Sequence, residues 1–357
     1  MQTIKLRNKT LQVPIIQGGM GVGVSLGNLA GHVAKCGGMG VISTAHTGYL
    51  CDDFWQNFLE DNLTEIKNEI HKAKEIAGGN GMVGINVMVA LRYYDQMVKA
   101  AIEGGADAII SGAGIPLELP AIVGDADIAI APIVSSGKSA RVICQSWKKK
   151  HDRLPDFIVV EGSQAGGHLG FPMEELSENR EQTLEEIFQD VQTVVKTFEE
   201  KYNVKIPVFV AGGVYTGYDV KKFTDMGAAG AQIATRFIAT HECDASLAYK
   251  ERYLNVKPED IVLIKSTVGM PGRALRSPFV ERLLRGEKEK ITRCLVCLRP
   301  CDPKVAAFCI TTALTEAAKG NWEDGLFFCG SNGYRMKEIV HVKDIIDEIM
   351  TEYQSGE

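Results

Sequence analysis

IPVFVAGG, Ile206 to Gly213, is followed after a polar amphipathic stretch by GAQIATRF, Gly230 to Phe237. Each is a short apolar run of strand length that ends near glycine or a small polar residue, with helical character between them. Moving outward, the same unit recurs as VPIIQGGM (Val13 to Met20), MGVISTA (Met39 to Ala45), MVGINVMV (Met82 to Val89), DAIISGAG (Asp107 to Gly114), DIAIAPIVSS (Asp127 to Ser136) and DFIVVEG (Asp156 to Gly162). Nearly continuous hydrophobicity marks strands covered on both faces, as in parallel sheets. Between Thr183 and Glu200, Leu184, Ile187, Phe188, Val191, Val194, Val195 and Phe198 recur at steps of three and four, which is one apolar helix face. Helices also fit Asp95 to Gly104, Gly137 to Lys150 and Thr216 to Met226, while the more polar Asp61 to Ala77 reads as lying outside. Eight such units in about 240 residues predict an α/β fold, a (β/α)8 TIM barrel, better than a doubly wound sheet.

After Asp244 the repeat stops. The spacing predicts a barrel over 1–243 and a mostly helical cap or side lobe over 244–357, joined without a Ser/Gly-rich linker. The 357 residues carry 39 Lys and Arg against 45 Asp and Glu, a formal charge of −6 that offers no basic field for nucleic acid or an anionic membrane. No signal-peptide core or long apolar run is visible, so a cytoplasmic protein is expected. Nine cysteines, an odd count, fit reduced thiols or a metal site better than a disulfide framework.

Active sites of such barrels lie at the C-terminal ends of the strands, and here those ends are rich in glycine. Gly212-Gly213 and the Gln232 to Thr235 stretch occupy the places where barrels build a phosphate site, which suggests a phosphorylated cofactor. His168 stands in the loop QAGGH after the sixth strand; an imidazole there can exchange protons near neutral pH, which makes it the candidate acid/base. His46, just past the second strand, and His32, in a helix, read as structural. Lys148 to Lys150 with Arg153 read as a solvated helix end. Arg273 and Arg276 could contact a cofactor or carrier phosphate, or form ordinary surface ion pairs.

The motifs PIIQGGMG, GINVMV, APIVSS, EGSQAGGHLG, IPVFVAGGV and GAAGAQIATRF occur in the order seen in the nitronate monooxygenase (2-nitropropane dioxygenase) family, which the chain resembles from Val13 to Ala245, with a looser echo in VGMPGRALR. That family also includes the flavin-dependent enoyl-acyl carrier protein reductase II and NAD(P)H:quinone reductases. The resemblance implies FMN at the barrel mouth. Gly19 and Met20 would meet the isoalloxazine side, Asn86 and Gln164 would bond flavin or ribityl groups, and Gly167 with His168 would flank the ring. Gly212, Gly213, Gln232, Ala234 and Thr235 would hold the phosphate. His168 matches the catalytic histidine. Nitronate oxidation with oxygen is the expected activity on a small-molecule substrate. The alternative is NAD(P)H-dependent reduction of enoyl thioesters or quinones, and the motifs do not separate the two. A non-catalytic FMN-binding module is a third class, against which the intact GGH loop argues. By analogy with other barrels, a homodimer is expected.

One feature departs from the family pattern. Cys294-x2-Cys297-x3-Cys301-x7-Cys309 could serve an iron–sulfur centre or a zinc site, although the last gap matches no standard run; Cys329 could replace a member, and four plain reduced thiols are the bland alternative.

Overall fold

The computed structural model describes residues 2–356. Eight parallel strands close into a barrel: β1 (Ile15–Gln17), β2 (Met39–Ser43), β3 (Met82–Met88), β4 (Ala108–Gly112), β5 (Ala129–Val134), β6 (Ile158–Glu161), β7 (Val208–Ala211) and β8 (Gly230–Ile233). Each is the central part of one of the eight apolar runs. Strand β8 pairs with β1 through Gln232 and Ile16, which removes the sheet edges.

Side chains alternate along each strand, so the sheet feeds two cores. Inside the barrel, Ile16, Met39, Val41, Ile110, Phe157, Val159 and Phe209 pack together, and the N-terminal ribbon Ile4–Leu6/Lys9–Leu11 adds Leu6 and Leu11 to this cluster. Outside, the strands meet α1 (Gly27–Lys35), α2 (Phe58–Ala77), α3 (Tyr94–Glu103), α4 (Leu119–Val123), α5 (Gly137–His151), α6 (Leu184–Tyr202) and α7 (Gly217–Asp225). Thr183 begins α6 with a capping box: its hydroxyl accepts from the Glu186 N–H and the Glu186 carboxylate accepts from the Thr183 N–H. The polar stretch after Asp61 is not outside the barrel unit. It belongs to α2, whose Ile66, Ile70, Ala73 and Ala77 are buried at steps of four, three and four against α1 and α3. A few apolar positions on one face suffice to dock a helix whose other face is charged.

The largest difference from the sequence reading concerns the segment after Cys243. Its last helix, α8 (Val342–Ser355), packs on α7 and α1 and completes the barrel ring. The Gly217 N–H donates to Glu352 Oε2 at 2.6 Å, and a Cβ at Gly217 would lie 2.0 Å from the Ile349 carbonyl oxygen. The chain between β8 and α8 is therefore an excursion over the barrel mouth rather than a terminal lobe. It is also not mostly helical. A hairpin, Ile261–Lys265 with Pro271–Leu275, pairs antiparallel with the two-residue strand Gly167–His168. VGMPG reads as punctuation in sequence, yet Val268–Gly269 is the tip of that hairpin. Among the described residues no helix is long and apolar enough to cross a membrane.

Candidate active site

The strand ends and the excursion enclose a cavity of about 380 Å³, a size typical of small-molecule sites. Gly19, Met20, Asn86, Gln164, Gly167, His168, Gly212, Gly213, Gln232, Ala234 and Thr235 all border it. Residues up to 216 positions apart in sequence thus meet because the barrel brings every strand's C-terminal end to one rim.

At the β7 end, Gly212 has φ +79°, and a Cβ there would stand 2.5 Å from the Gly162 carbonyl oxygen. Only glycine lets the backbone turn inward at this point. Two groups from the excursion brace the same corner. The Gly330 N–H donates to Thr235 Oγ1 at 3.0 Å, and Asn332 Nδ2 donates to the Gly213 carbonyl at 2.7 Å. Gly330, Asn332, Phe328, Met270 and Leu314 also line the cavity and had no signal in the sequence, since their strand-end neighbours lie far away in the chain.

His168 Nε2 lies 2.8 Å from Ser266 Oγ, on the turn side of the hairpin, and the Phe328 ring meets the imidazole edge-on at 5.1 Å. The Ser266 bond orients the ring; among the described residues Nδ1 has no hydrogen-bond partner. Burial without a counter-charge lowers the His168 pKa from 6.5 to about 4, so the ring is neutral at pH 7. Glu161, at the end of β6, borders the same cavity, and burial pushes its carboxyl up to about 7. Its position at a strand end was the only sequence signal for it.

Arg273 does not line the cavity. Its guanidinium donates to the carbonyls of Ser163 and Ala165, the latter at 2.7 Å, and so pins the loop that carries Gln164 and His168. Arg276 pairs with Glu281 at 3.0 Å. His32 bonds its own helical turn through Asn28, and Lys150 pairs with Glu118 at 3.4 Å. His46 is enclosed between Phe54 and Phe58, with Nε2 2.9 Å from Thr311 Oγ1. It supports the wall and does not border the cavity. Cys294, Cys297, Cys301 and Cys309 do not form a site for a single ion: among the described residues, no three His, Cys, Asp or Glu side chains gather as one ion requires. Four thiolates around one zinc would hold their sulfurs about 3.8 Å apart, and the described residues form no such group.

A family model described as nitronate monooxygenase matches residues 3–352. The chain is 25% identical over 283 residues, 78% of its length and 68% of the relative's, to an indene-carboxyl-CoA dehydrogenase of Mycobacterium tuberculosis. It is 25% identical over 308 residues, 78% of its length and 79% of the relative's, to a probable nitronate monooxygenase of Staphylococcus aureus. Among solved structures it is similar to FabK from Thermotoga maritima, with a TM-score of 0.73, 25% identity, and coverage of 96% of this chain and 93% of that one.

Proposed function

The chain belongs to the nitronate monooxygenase family and is an oxidoreductase of its flavin-dependent kind, and from that premise we propose that it holds FMN and oxidises nitronates and nitroalkanes with oxygen, His168 moving the proton. The residues fit the cofactor. Gly212 and Gly213 give the cavity rim a corner of bare backbone, the kind of surface that a phosphate can approach closely. Gln232, Ala234 and Thr235 close that corner from β8. Asn86 and Gln164 offer amides to the polar edge of the ring system or the ribityl chain, and Gly19, Met20 and Gly167 leave its faces unobstructed. A Cβ at Gly19 would collide with Asn86 Cβ at 2.5 Å, so this wall has no room for a larger residue. FMN, when bound, carries electrons from substrate to oxygen.

The observation that carries the reading is the neutral, oriented His168 at the cavity wall. A carbon acid next to a nitro group needs a base that is unprotonated at working pH and faces the substrate. Nε2 is engaged with Ser266 Oγ and Nδ1 has no partner among the described residues, so in the tautomer that protonates Nε2 it is Nδ1 that would take the proton. The imidazolium so formed is disfavoured by its surroundings, which drives the proton onward.

A second reading, NAD(P)H-dependent reduction of enoyl thioesters or quinones, is supported by the likeness to FabK over nearly the whole chain. There His168 gives a proton instead of taking one. An anaerobic titration of the flavin-loaded protein separates the two. A small nitronate or nitroalkane is expected to bleach the flavin band while NADH and NADPH leave it unchanged; rapid bleaching by either nucleotide would overturn the monooxygenase reading.

A further inference from the structure

We propose that Cys294, Cys297, Cys301 and Cys309 bind an iron–sulfur cluster, one helical turn from the active-site cavity. All four border a single small pocket, whose other walls are apolar and include Ile291, Leu298, Phe308 and Ile310. Cys297, Cys301 and Cys309 are half-buried and Cys294 is exposed, and four thiols around one apolar-walled space suit a ligand that takes several thiolates. None of the nine cysteines is in a disulfide.

The local backbone is shaped around the sulfurs. Val296, inside the Cys294-x2-Cys297 turn, has φ +50°, a conformation a β-branched residue rarely takes. That turn points the Val296 N–H at Cys294 Sγ, 3.4 Å away. N–H groups aimed at sulfur are among the levers that tune such clusters. Cys309 is the N-cap of the helix Ile310–Ala318, so the positive end of the helix dipole faces the thiols. Lys288, Lys290, Arg293 and Lys304 lie in the same segment with Asp302 as the counter-charge, while Arg299 faces Asp95 and Glu287 and Glu289 pair with Arg285 and Arg282. The surroundings suit an anionic group.

Two links tie the pocket to the active site. In the helix Ile310–Ala318, Ile310 borders the cysteine pocket and Leu314 borders the active-site cavity, a separation of four residues or about 6 Å of helix. Thr311 Oγ1 lies 3.4 Å from Cys297 Sγ and 2.9 Å from His46 Nε2, which joins the pocket to the β2 end of the barrel. The space now between the thiols is about 20 Å³, room for one water. Loading must therefore spread the segment from Glu287 to Cys297, which lies outside the helices and strands and can give way.

The test is anaerobic purification of the full chain, with iron, acid-labile sulfide and flavin each measured per chain. Wild type is expected to carry about four irons and four sulfides, alone or after reconstitution with iron and sulfide, and an electron paramagnetic resonance signal on reduction. Cys294→Ser and Cys309→Ser should lose at least tenfold of the iron and keep their flavin; Cys51→Ser should keep both. Should the variants fold poorly, alkylation mapped by mass spectrometry on wild type gives the answer independently. Cys294, Cys297, Cys301 and Cys309 should be protected until a chelator strips the iron. Zinc in place of iron, disulfides among the four, or four freely alkylated thiols after reconstitution would each overturn the proposal. Flavin content is read separately, so loss of flavin would count against the FMN reading alone.

Discussion

Protonation of His168 is the sharpest quantitative consequence of the site. Burial lowers its pKa from 6.5 to about 4, so the folded protein binds fewer protons than the unfolded chain between those values. The stability associated with the neutral ring is present above pH 6.5 and is lost as pH falls toward 4. At pH 5 the loss works out at about 2 kcal/mol, an upper bound because the ring borders a cavity that solvent can enter. The same shift sets the reactivity. With a pKa of 6.5 about nine-tenths of the ring would be protonated at pH 5.5, a tenfold loss of base; with a pKa near 4 only a few per cent would be. Histidine-labelled NMR of wild type and His168→Asn assigns the ring and reads its midpoint directly. Chemical denaturation of the pair from pH 7.5 to 5 reads the linkage, and because His46 is present in both, the difference isolates His168. A midpoint near 6.5, or identical pH slopes in the two proteins, would refute the argument that burial holds this ring neutral.

Ser266→Ala removes the partner that orients His168 Nε2 and should lower kcat/KM about tenfold, the worth of one hydrogen bond, with flavin content unchanged; steady-state kinetics on flavin-loaded protein checks it. Gly212→Ala places a Cβ 2.5 Å from the Gly162 carbonyl at a positive φ, and flavin occupancy by absorbance should collapse while far-ultraviolet circular dichroism persists. Arg273→Met leaves the Ser163 and Ala165 carbonyls without their donor and should cost about 2 kcal/mol in denaturant unfolding, with faster proteolysis in the 163–167 loop. Gly40→Ala would set a Cβ 1.9 Å from the Ala30 carbonyl oxygen, where α1 crosses β2, and should lower stability by about 3 kcal/mol, read as a drop in Tm.

The eight strands were legible because parallel strands buried on both faces must be almost wholly apolar and must end where the chain turns. The same ends carry the cavity-lining residues, so Asn86, His168, Gly212 and Thr235 stand out together from their positions along the chain. Glu161 also stands at a strand end, but the burial that raises its pKa is a property of neighbours and has no local signature in the sequence. The charge of Arg273 suggests a phosphate or an ion pair, whereas its guanidinium satisfies two loop carbonyls 110 and 108 positions away.

Local patterns along the chain fix which segments are strands, which faces are apolar, and which residues stand at the strand ends. These follow from periodicity and from the chemistry of single residues. Only the packing of distant segments puts α8 in the ring after a long excursion, joins the hairpin following Pro258–Asp260 to the strand of His168, sets Ser266 against His168, and brings Phe328, Gly330 and Asn332 to the cavity. It also decided that four cysteines share one pocket. Such facts depend on contacts between distant segments, and a local pattern of hydrophobicity carries no information about which distant partner will satisfy a given surface or hydrogen bond.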